Sequence, residues 1–145
     1  FGGSFGYFED AENASVLRVF ADTLAPNGSL VLDTHVAESL LPRFRERDWS
    51  WSGEGEDRVQ VLQERRFDPR TQRVEATWTT VTPAGPVSET TSIRIYDCRE
   101  LEEMLRAIGF TRFQFLVTGT GEPFALGSPR LSLVARKGSG EHGDG

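Results

Sequence analysis

This 145-residue sequence has almost no cysteine and lacks long apolar segments. Cys98 is the only cysteine, which excludes an internal disulfide and a cysteine-based metal cluster, and it fits a reducing cytoplasm. No apolar run approaches the roughly 18 residues that a membrane span needs, and no signal-peptide pattern opens the chain. We therefore expect a cytoplasmic protein with no membrane partner.

The charge pattern excludes further classes. The net charge is −6, and the basic residues are fifteen scattered arginines and Lys137. No block of like charge suggests a nucleic-acid arm, so we expect no nucleic-acid partner. No His/Asp/Glu cluster has the spacing of metal ligands, and neither a nucleophile elbow nor a P-loop occurs. We expect no metal.

The stretch from Phe1 to Asp33 is the most informative. A loop rich in glycine and aromatic residues leads into an apolar helical pattern from Asp10 to Leu24, which Pro26 and Gly28 end. Loop, helix and buried strand in this order are half of a nucleotide-cofactor domain. Met104 is the only methionine, and the chain begins inside this unit, so we expect the C-terminal part of a larger enzyme.

The segments after this helix predict an α/β frame. Leu30-Val31-Leu32 is a continuous apolar run, typical of a parallel strand covered on both faces. A short helix is predicted over residues 37–44. Asp97 and Glu100 form a capping-box-like start for a third helix that Gly109 ends. Alternating apolar residues then predict strands around 113–117 and 131–135.

A second unit is predicted within this frame. Residues 58–67, 73–81 and 87–96 are rich in Val, Thr, Ile and Trp and are separated by turn residues, which indicates an antiparallel meander. In its last strand Thr90, Ser92, Arg94 and Tyr96 share a polar face. The three tryptophans are expected to pack in the core or on the sheet.

These patterns give the expected organisation. Residues 1–47 and 97–137 form the α/β domain, residues 48–96 form the antiparallel insert, and residues 138–145 form a small, polar, glycine-rich tail that we expect to be disordered. The connection over residues 119–129 is long enough to suggest a functional loop.

The order of these pieces resembles the class I S-adenosylmethionine-dependent methyltransferases that act on small molecules. The resemblance is carried by Ser4-Phe-Gly-Tyr-Phe8, Leu24-Ala-Pro-Asn-Gly28, Leu30-Val-Leu-Asp33, Arg94-Ile-Tyr96, Ile108-Gly-Phe110 and Arg130-Leu-Ser-Leu-Val134. It covers residues 1 to about 137. It implies the C-terminal part of a doubly wound Rossmann-like sheet, with the last strand antiparallel between the two before it and the meander as a substrate-side cap.

The resemblance also implies the activity. The enzyme would transfer a methyl group from S-adenosylmethionine to a nitrogen or oxygen of a small-molecule acceptor. The glycine motif against the cofactor's methionine portion and the acidic residue that binds its ribose have no counterpart in this sequence. We therefore expect the chain alone to be inactive.

Nine residues are candidates for the site. The family pattern places Ser4, Phe5, Gly6 and Tyr7 beside the sulfonium, although the same residues also suit a packed strand-to-helix turn. His35 could act as a general base, or simply open a helix at the surface. For an acidic substrate the candidates are Arg94, Tyr96, Ser128 and Arg130, each of which could instead be structural.

Two other classes of function fit the same residues. The chain could be a non-catalytic module that holds a small acid or a partner on the polar face of the meander. It could also be an interaction domain whose open sheet edge pairs with another chain. The oligomeric state cannot be predicted from these patterns.

Overall fold

The computed structural model describes residues 5–139, so Ser4 and most of the expected disordered tail lie outside it. The chain divides into an α/β unit, residues 1–43 and 95–145, and an antiparallel unit, residues 44–94. The boundaries between the units, at 43/44 and 94/95, lie a few residues before the expected boundaries at 47/48 and 96/97. No helix among the described residues is long and apolar enough to cross a membrane.

Residues 5–139 contain three α-helices and seven strands. In chain order they are α1 (Asp10–Thr23), β1 (Ser29–Thr34), α2 (Ala37–Leu40), β2 (Arg47–Ser52), β3 (Val59–Asp68), β4 (Arg73–Thr82), β5 (Gly85–Arg94), α3 (Cys98–Arg106), β6 (Phe110–Val117) and β7 (Leu131–Lys137). Short 3-10 turns follow α2 and β2, at Leu41–Arg43 and Gly55–Asp57.

The α/β unit contains a three-stranded sheet in the order β1–β7–β6. Both pairings of β7 are antiparallel, so β1 and β6 run in the same direction and end at the same edge of the sheet. This confirms the expected placement of the last strand between the two that precede it.

The core of this unit lies on one face of the sheet. Leu32 and Leu133 are fully buried there against Leu17 of α1 and Leu105 of α3. The prediction that β1 is covered on both faces is wrong for the described residues, since its burial alternates and Val31 is 46% exposed. Both α1 and α3 contribute to the single core, which leaves the other face of β1 without a helix from the described chain.

Local signals set the ends of α3 as predicted. The Asp97 carboxylate accepts a hydrogen bond from the Glu100 N–H at 2.7 Å, and the Glu100 carboxylate accepts one from the Asp97 N–H at 3.0 Å. These bonds satisfy two donors that a helix start would otherwise leave unpaired. Gly109, with φ of 103°, then takes the left-handed conformation that follows a helix end.

The antiparallel unit is a four-stranded meander in the order β2–β3–β4–β5. Three strands were predicted, and β2 was missed because arginine, aspartate and serine interrupt its tryptophans and every residue is exposed. In β5, Ser92 and Arg94 face the same side as predicted, while Ile93 lies beside buried Val74 on the other side.

One expectation for the aromatic residues is corrected, and a second is narrowed. Strand β5 ends at Arg94, so Tyr96 does not share its polar face; it belongs to the α/β unit and is 4% exposed. The tryptophans lie on the sheet, which is one of the two expected placements, and not in a core. Trp49 is 57%, Trp51 50% and Trp78 38% exposed, because they extend from a single sheet layer.

The capping of α3 can be tested by mutation. Asp97→Ala removes the side chain that accepts the Glu100 N–H, so we expect a loss of about 1 kcal/mol in the free energy of unfolding. Urea denaturation measures it, with an unchanged m-value. Asp22→Ala, an exposed change in α1, is the matched control and should alter stability by less than about 0.5 kcal/mol. Equal effects of the two substitutions would contradict the capping role.

Candidate functional site

Polar side chains converge where β1 and β6 end and β7 begins. Asp33 and His35 lie at the end of β1, Thr118 directly follows β6, and Arg130 directly precedes β7. The Thr118 hydroxyl donates to the Asp33 carboxylate at 3.3 Å, and the Thr118 N–H donates to the Arg130 carbonyl at 3.1 Å. This cluster occupies the carboxyl end of the two codirectional strands, the edge at which α/β sheets bind ligands.

Arg130 is held by the cluster itself. Its Nε donates to the Asp33 carboxylate, and its Nη2 lies 3.4 Å from the Asp33 carbonyl oxygen. Its Nη1 lies 3.4 Å from Nε2 of His35. Asp33 neutralises the guanidinium, so binding of a substrate acid by Arg130 would require it to give up part of this pairing.

His35 is uncharged near neutral pH. Partial burial of the ring, followed by the positive charge of Arg130, lowers its pKa below the ordinary 6.5, although Asp33 and the Pro129 backbone act in the opposite direction. A neutral imidazole has a lone pair that can take a proton. Because Arg130 only donates, the contact at Nε2 requires that nitrogen to be the unprotonated one.

The loop before α1 presents aromatic residues to solvent. Phe5 is 7% exposed and packs on the ring of Tyr96, with ring centroids 5.4 Å apart, whereas Tyr7 is 46% exposed. Between them Gly6 has φ of 103°, a conformation that glycine adopts without strain. Of the four predicted cofactor-binding residues, Phe5, Gly6 and Tyr7 are thus placed together, while Ser4 lies outside the described residues.

A buried hydrogen-bond network fixes this loop. Asn13, 1% exposed, donates from Nδ2 to the Phe8 carbonyl at 2.8 Å and accepts the Phe8 N–H at 3.3 Å. Nδ2 also lies 3.1 Å from the Tyr96 hydroxyl, which donates to the Asp10 carboxylate at 2.7 Å. The Tyr96 carbonyl accepts the Ala37 N–H at 2.9 Å, two residues after His35. The loop and His35 are therefore on the same edge.

The predicted substrate residues do not form one group. Arg94 belongs to the antiparallel unit, opposite Arg73 of β4, whereas Tyr96 is buried in the α/β unit, so the structure does not bring them together on one face. Ser128 is engaged in its own loop, where its hydroxyl accepts the Ala125 N–H at 3.1 Å. Arg130 lies in the cluster, paired with Asp33.

Glu38 of α2 contacts Cys98 at the start of α3. The Cys98 N–H donates to Oε1 of Glu38 at 3.1 Å, and Oε2 of Glu38 is buried without a hydrogen-bond partner among the described residues. Burial, followed by the Glu38 carboxylate, raises the pKa of the Cys98 thiol to about 12. The thiol stays protonated at neutral pH, which argues against a nucleophilic role.

The sequence did not predict Thr118 and Asn13 as parts of the site, and it suggested Asp33 as a ligand contact or a helix cap without pairing it with Arg130. Asp33 and Arg130 are 97 positions apart, and only the pairing of β1 with β7 brings them together. The one signal in the sequence was that both lie at the ends of apolar strands. Within residues 5–139, no group of three potential ligands could hold a metal ion.

Solved structures share this fold. The CcbJ methyltransferase from Streptomyces caelestis matches with a TM-score of 0.74 and 18% identity, over 95% of this chain and 55% of that one. An S-adenosylmethionine-dependent methyltransferase from Clostridium acetobutylicum ATCC 824 gives 0.71 and 13%, over 94% and 55%. The sugar N-methyltransferase KedS8 from Streptoalloteichus sp ATCC 53650 gives 0.66 and 24%, over 94% and 53%.

These likenesses establish the fold that the resemblance implied. The chain spans about half the length of the structures it matches. No family model and no curated protein matches the chain in sequence.

The electrostatics of His35 can be measured directly. Arg130→Gln removes a positive charge from beside the ring and frees the Asp33 carboxylate, so we expect the pKa of His35 to rise. NMR titration of the imidazole gives the value, and His142→Gln in both proteins leaves a single titrating ring. The control Arg18→Gln, on the exposed side of α1, should leave the pKa unchanged. A His35 pKa above 6.5 before the substitution would contradict the assignment.

Proposed function

We propose that the chain provides the acceptor side of an S-adenosylmethionine-dependent methyltransferase acting on a small molecule. The observation that supports this best is the Asp33–His35–Arg130 cluster at the ligand-binding edge of a methyltransferase-like fold. Methyl transfer is a direct displacement at carbon, so alignment of the acceptor with the sulfonium accounts for much of the catalysis.

In this proposal Phe5, Gly6 and Tyr7, in the loop before α1, contact the cofactor. The accessible ring of Tyr7 presents an aromatic face that would stabilise a sulfonium cation, and Gly6 lets the backbone approach closely. The cofactor, when bound, supplies the electrophilic methyl group. The hydrogen bonds of Asn13 keep the loop in place before it binds.

His35 accepts a proton from the acceptor at Nε2, once the acceptor has displaced the N–H of Arg130 from that nitrogen. Its lowered pKa keeps the ring neutral, and Arg130 orients it while Asp33 balances the charge of the guanidinium. Protonation of His35 beside Arg130 is unfavourable, so a proton taken from the acceptor would pass readily to solvent. An amine or a hydroxyl both suit this arrangement, and amino sugars are the first acceptors to test, given the likeness to KedS8.

Catalysis would need more than the described residues. The sequence has no counterpart of the family's glycine motif or of its ribose-binding acidic residue, and we propose that the chain alone has little activity. The roles of Arg94 and Ser128 in substrate binding, and of the meander as a substrate-side cap, stay predictions.

The alternative of a non-catalytic module on the polar face of the meander has less support. Arg66 on this face pairs with Glu75 at 2.7 Å, and Arg73 donates to the Ser92 hydroxyl at 2.8 Å. These side chains satisfy one another across the strands, which reduces what they offer to a ligand.

Cofactor binding tests the loop. In a longer protein that contains this chain together with a cofactor-binding glycine motif, S-adenosylhomocysteine should raise the melting temperature by several degrees, and Tyr7→Ala should remove most of the shift. Phe8→Ala, an equally exposed aromatic residue next to it, is the matched control and should retain the shift. For the 145-residue chain alone we expect a shift of about 2 °C or less at millimolar ligand.

Three results would count against the proposal. A shift of several degrees for the chain alone would show that the missing motif is not needed. Equal losses in Tyr7→Ala and Phe8→Ala would remove the specific role of Tyr7. No shift in the longer protein would contradict cofactor binding altogether.

The role of His35 predicts a change in turnover. His35→Asn keeps a polar group beside Arg130 but cannot take a proton, so kcat should fall by about 10²–10⁴ while KM changes little. Formation of S-adenosylhomocysteine with a panel of amino sugars and small alcohols gives both constants. Thr118→Val, which also alters the cluster but removes no base, should stay within a few-fold of the parent; a similar loss there would point to structural damage.

A further inference from the structure

A basic cleft lies at the opposite edge of the α/β sheet from His35. It forms where β6 begins and β7 ends, and its volume is about 190 Å³. The lining residues are Asn27, Thr111, Arg112, Arg136, Lys137, Gly138 and Ser139. None of the lining residues is acidic, in a chain whose net charge is −6.

Two arginines face each other across the strand pair at this cleft. Arg112 lies opposite Arg136, at an irregularity in the β6–β7 register that adds Thr111 to β6. Like charges directly opposite are unfavourable in a sheet. Among residues 5–139 no acidic side chain contacts either guanidinium, so an anion between them would relieve the repulsion.

The cations are oriented by the backbone around them. Nε of Arg136 donates to the Asn27 carbonyl at 3.2 Å, which fixes the plane of the guanidinium and leaves its two terminal nitrogens as a fork. Nζ of Lys137 donates to the carbonyls of Ala21 and Leu24 at 2.7 and 3.2 Å. This side chain lies on the face of β7 that carries Leu133 and Ala135, opposite to Arg136, so its ammonium is not one of the cations of the cleft.

The cleft depends on a residue without a side chain. A Cβ on Gly138 would lie 3.1 Å from Cγ2 and 3.6 Å from Oγ1 of Thr111, so a larger residue would crowd the wall that carries the hydroxyl. The volume is below the roughly 300–1,000 Å³ of pockets for drug-sized ligands. It suits a small oxyanion better than a whole metabolite.

We propose that this cleft binds a phosphate group, with Arg112 and the fork of Arg136 as its ligands. The bidentate match of guanidinium to phosphate oxygens favours phosphate over halide. The site is separate from the proposed methyl-transfer site, which lies at the other end of the strands, and it does not depend on that function.

The test uses the 145-residue chain and inorganic phosphate. At fixed ionic strength, exchange of chloride for phosphate should shift the amide NMR signals of Thr111 and Gly138 in a saturable manner. Arg112→Gln and Arg136→Gln should each weaken binding by at least about tenfold, in line with the loss of a charge-assisted hydrogen-bonding partner. Arg18→Gln removes the same charge away from the cleft and should bind like the parent.

Two outcomes would overturn the proposal. Shifts that do not saturate would mean that phosphate only screens charge. Equal weakening by Arg18→Gln would mean that net charge, and not the cleft, attracts the anion. The NMR spectrum of each variant shows in the same experiment whether it is folded.

Discussion

The α/β unit depends on the contacts of one buried tyrosine. The ring of Tyr96 packs on Phe5, and its hydroxyl joins Asp10 and Asn13 at the start of α1. Its carbonyl accepts the N–H of Ala37 at the start of α2. The loop before α1, the segment after β1 and the approach to α3 therefore meet at a single residue, and this meeting point is the edge of the sheet that carries His35.

The hydrogen bonds around Tyr96 and Asn13 explain why the loop before α1 has one defined conformation. A loop with a glycine at φ of 103° would sample many conformations by itself, at a cost in entropy when it is ordered. Asn13 binds both backbone groups of Phe8 from a fully buried position, where unpaired polar groups are costly. The hydrogen bonds thus order the loop within the folded state, so a ligand need not do so.

Features that depend on residues close in sequence were predicted correctly. Features that depend on residues distant in sequence were not. The ends of α3 follow from Asp97, Glu100 and Gly109, which act within a few residues, and the structure confirms them. Strand β2 could not be recognised from the sequence, because all of its residues are exposed and they show no alternation of apolar and polar residues. Tyr96 was wrongly predicted to lie on the polar face of β5. The strand ends at Arg94, and Tyr96 is buried in the α/β unit.

The candidate site shows the same difference between local and distant residues. The position of His35 at the end of a strand could be predicted, whereas the ion pair between Asp33 and Arg130 required the pairing of strands about one hundred residues apart. That ion pair changes the interpretation of Arg130. The sequence suggested a substrate ligand, and the structure shows a guanidinium already neutralised and turned toward the histidine.

The most direct test of the account is photo-crosslinking of S-adenosylmethionine, labelled in its methyl group, to a longer protein that contains this chain together with a cofactor-binding glycine motif. We predict that the label appears in the tryptic peptide that ends at Arg18, which contains Tyr7, and that excess S-adenosylhomocysteine prevents it. Label confined to peptides of residues 44–94, or labelling that the competitor does not reduce, would contradict the claim that Tyr7 and the loop before α1 face the cofactor.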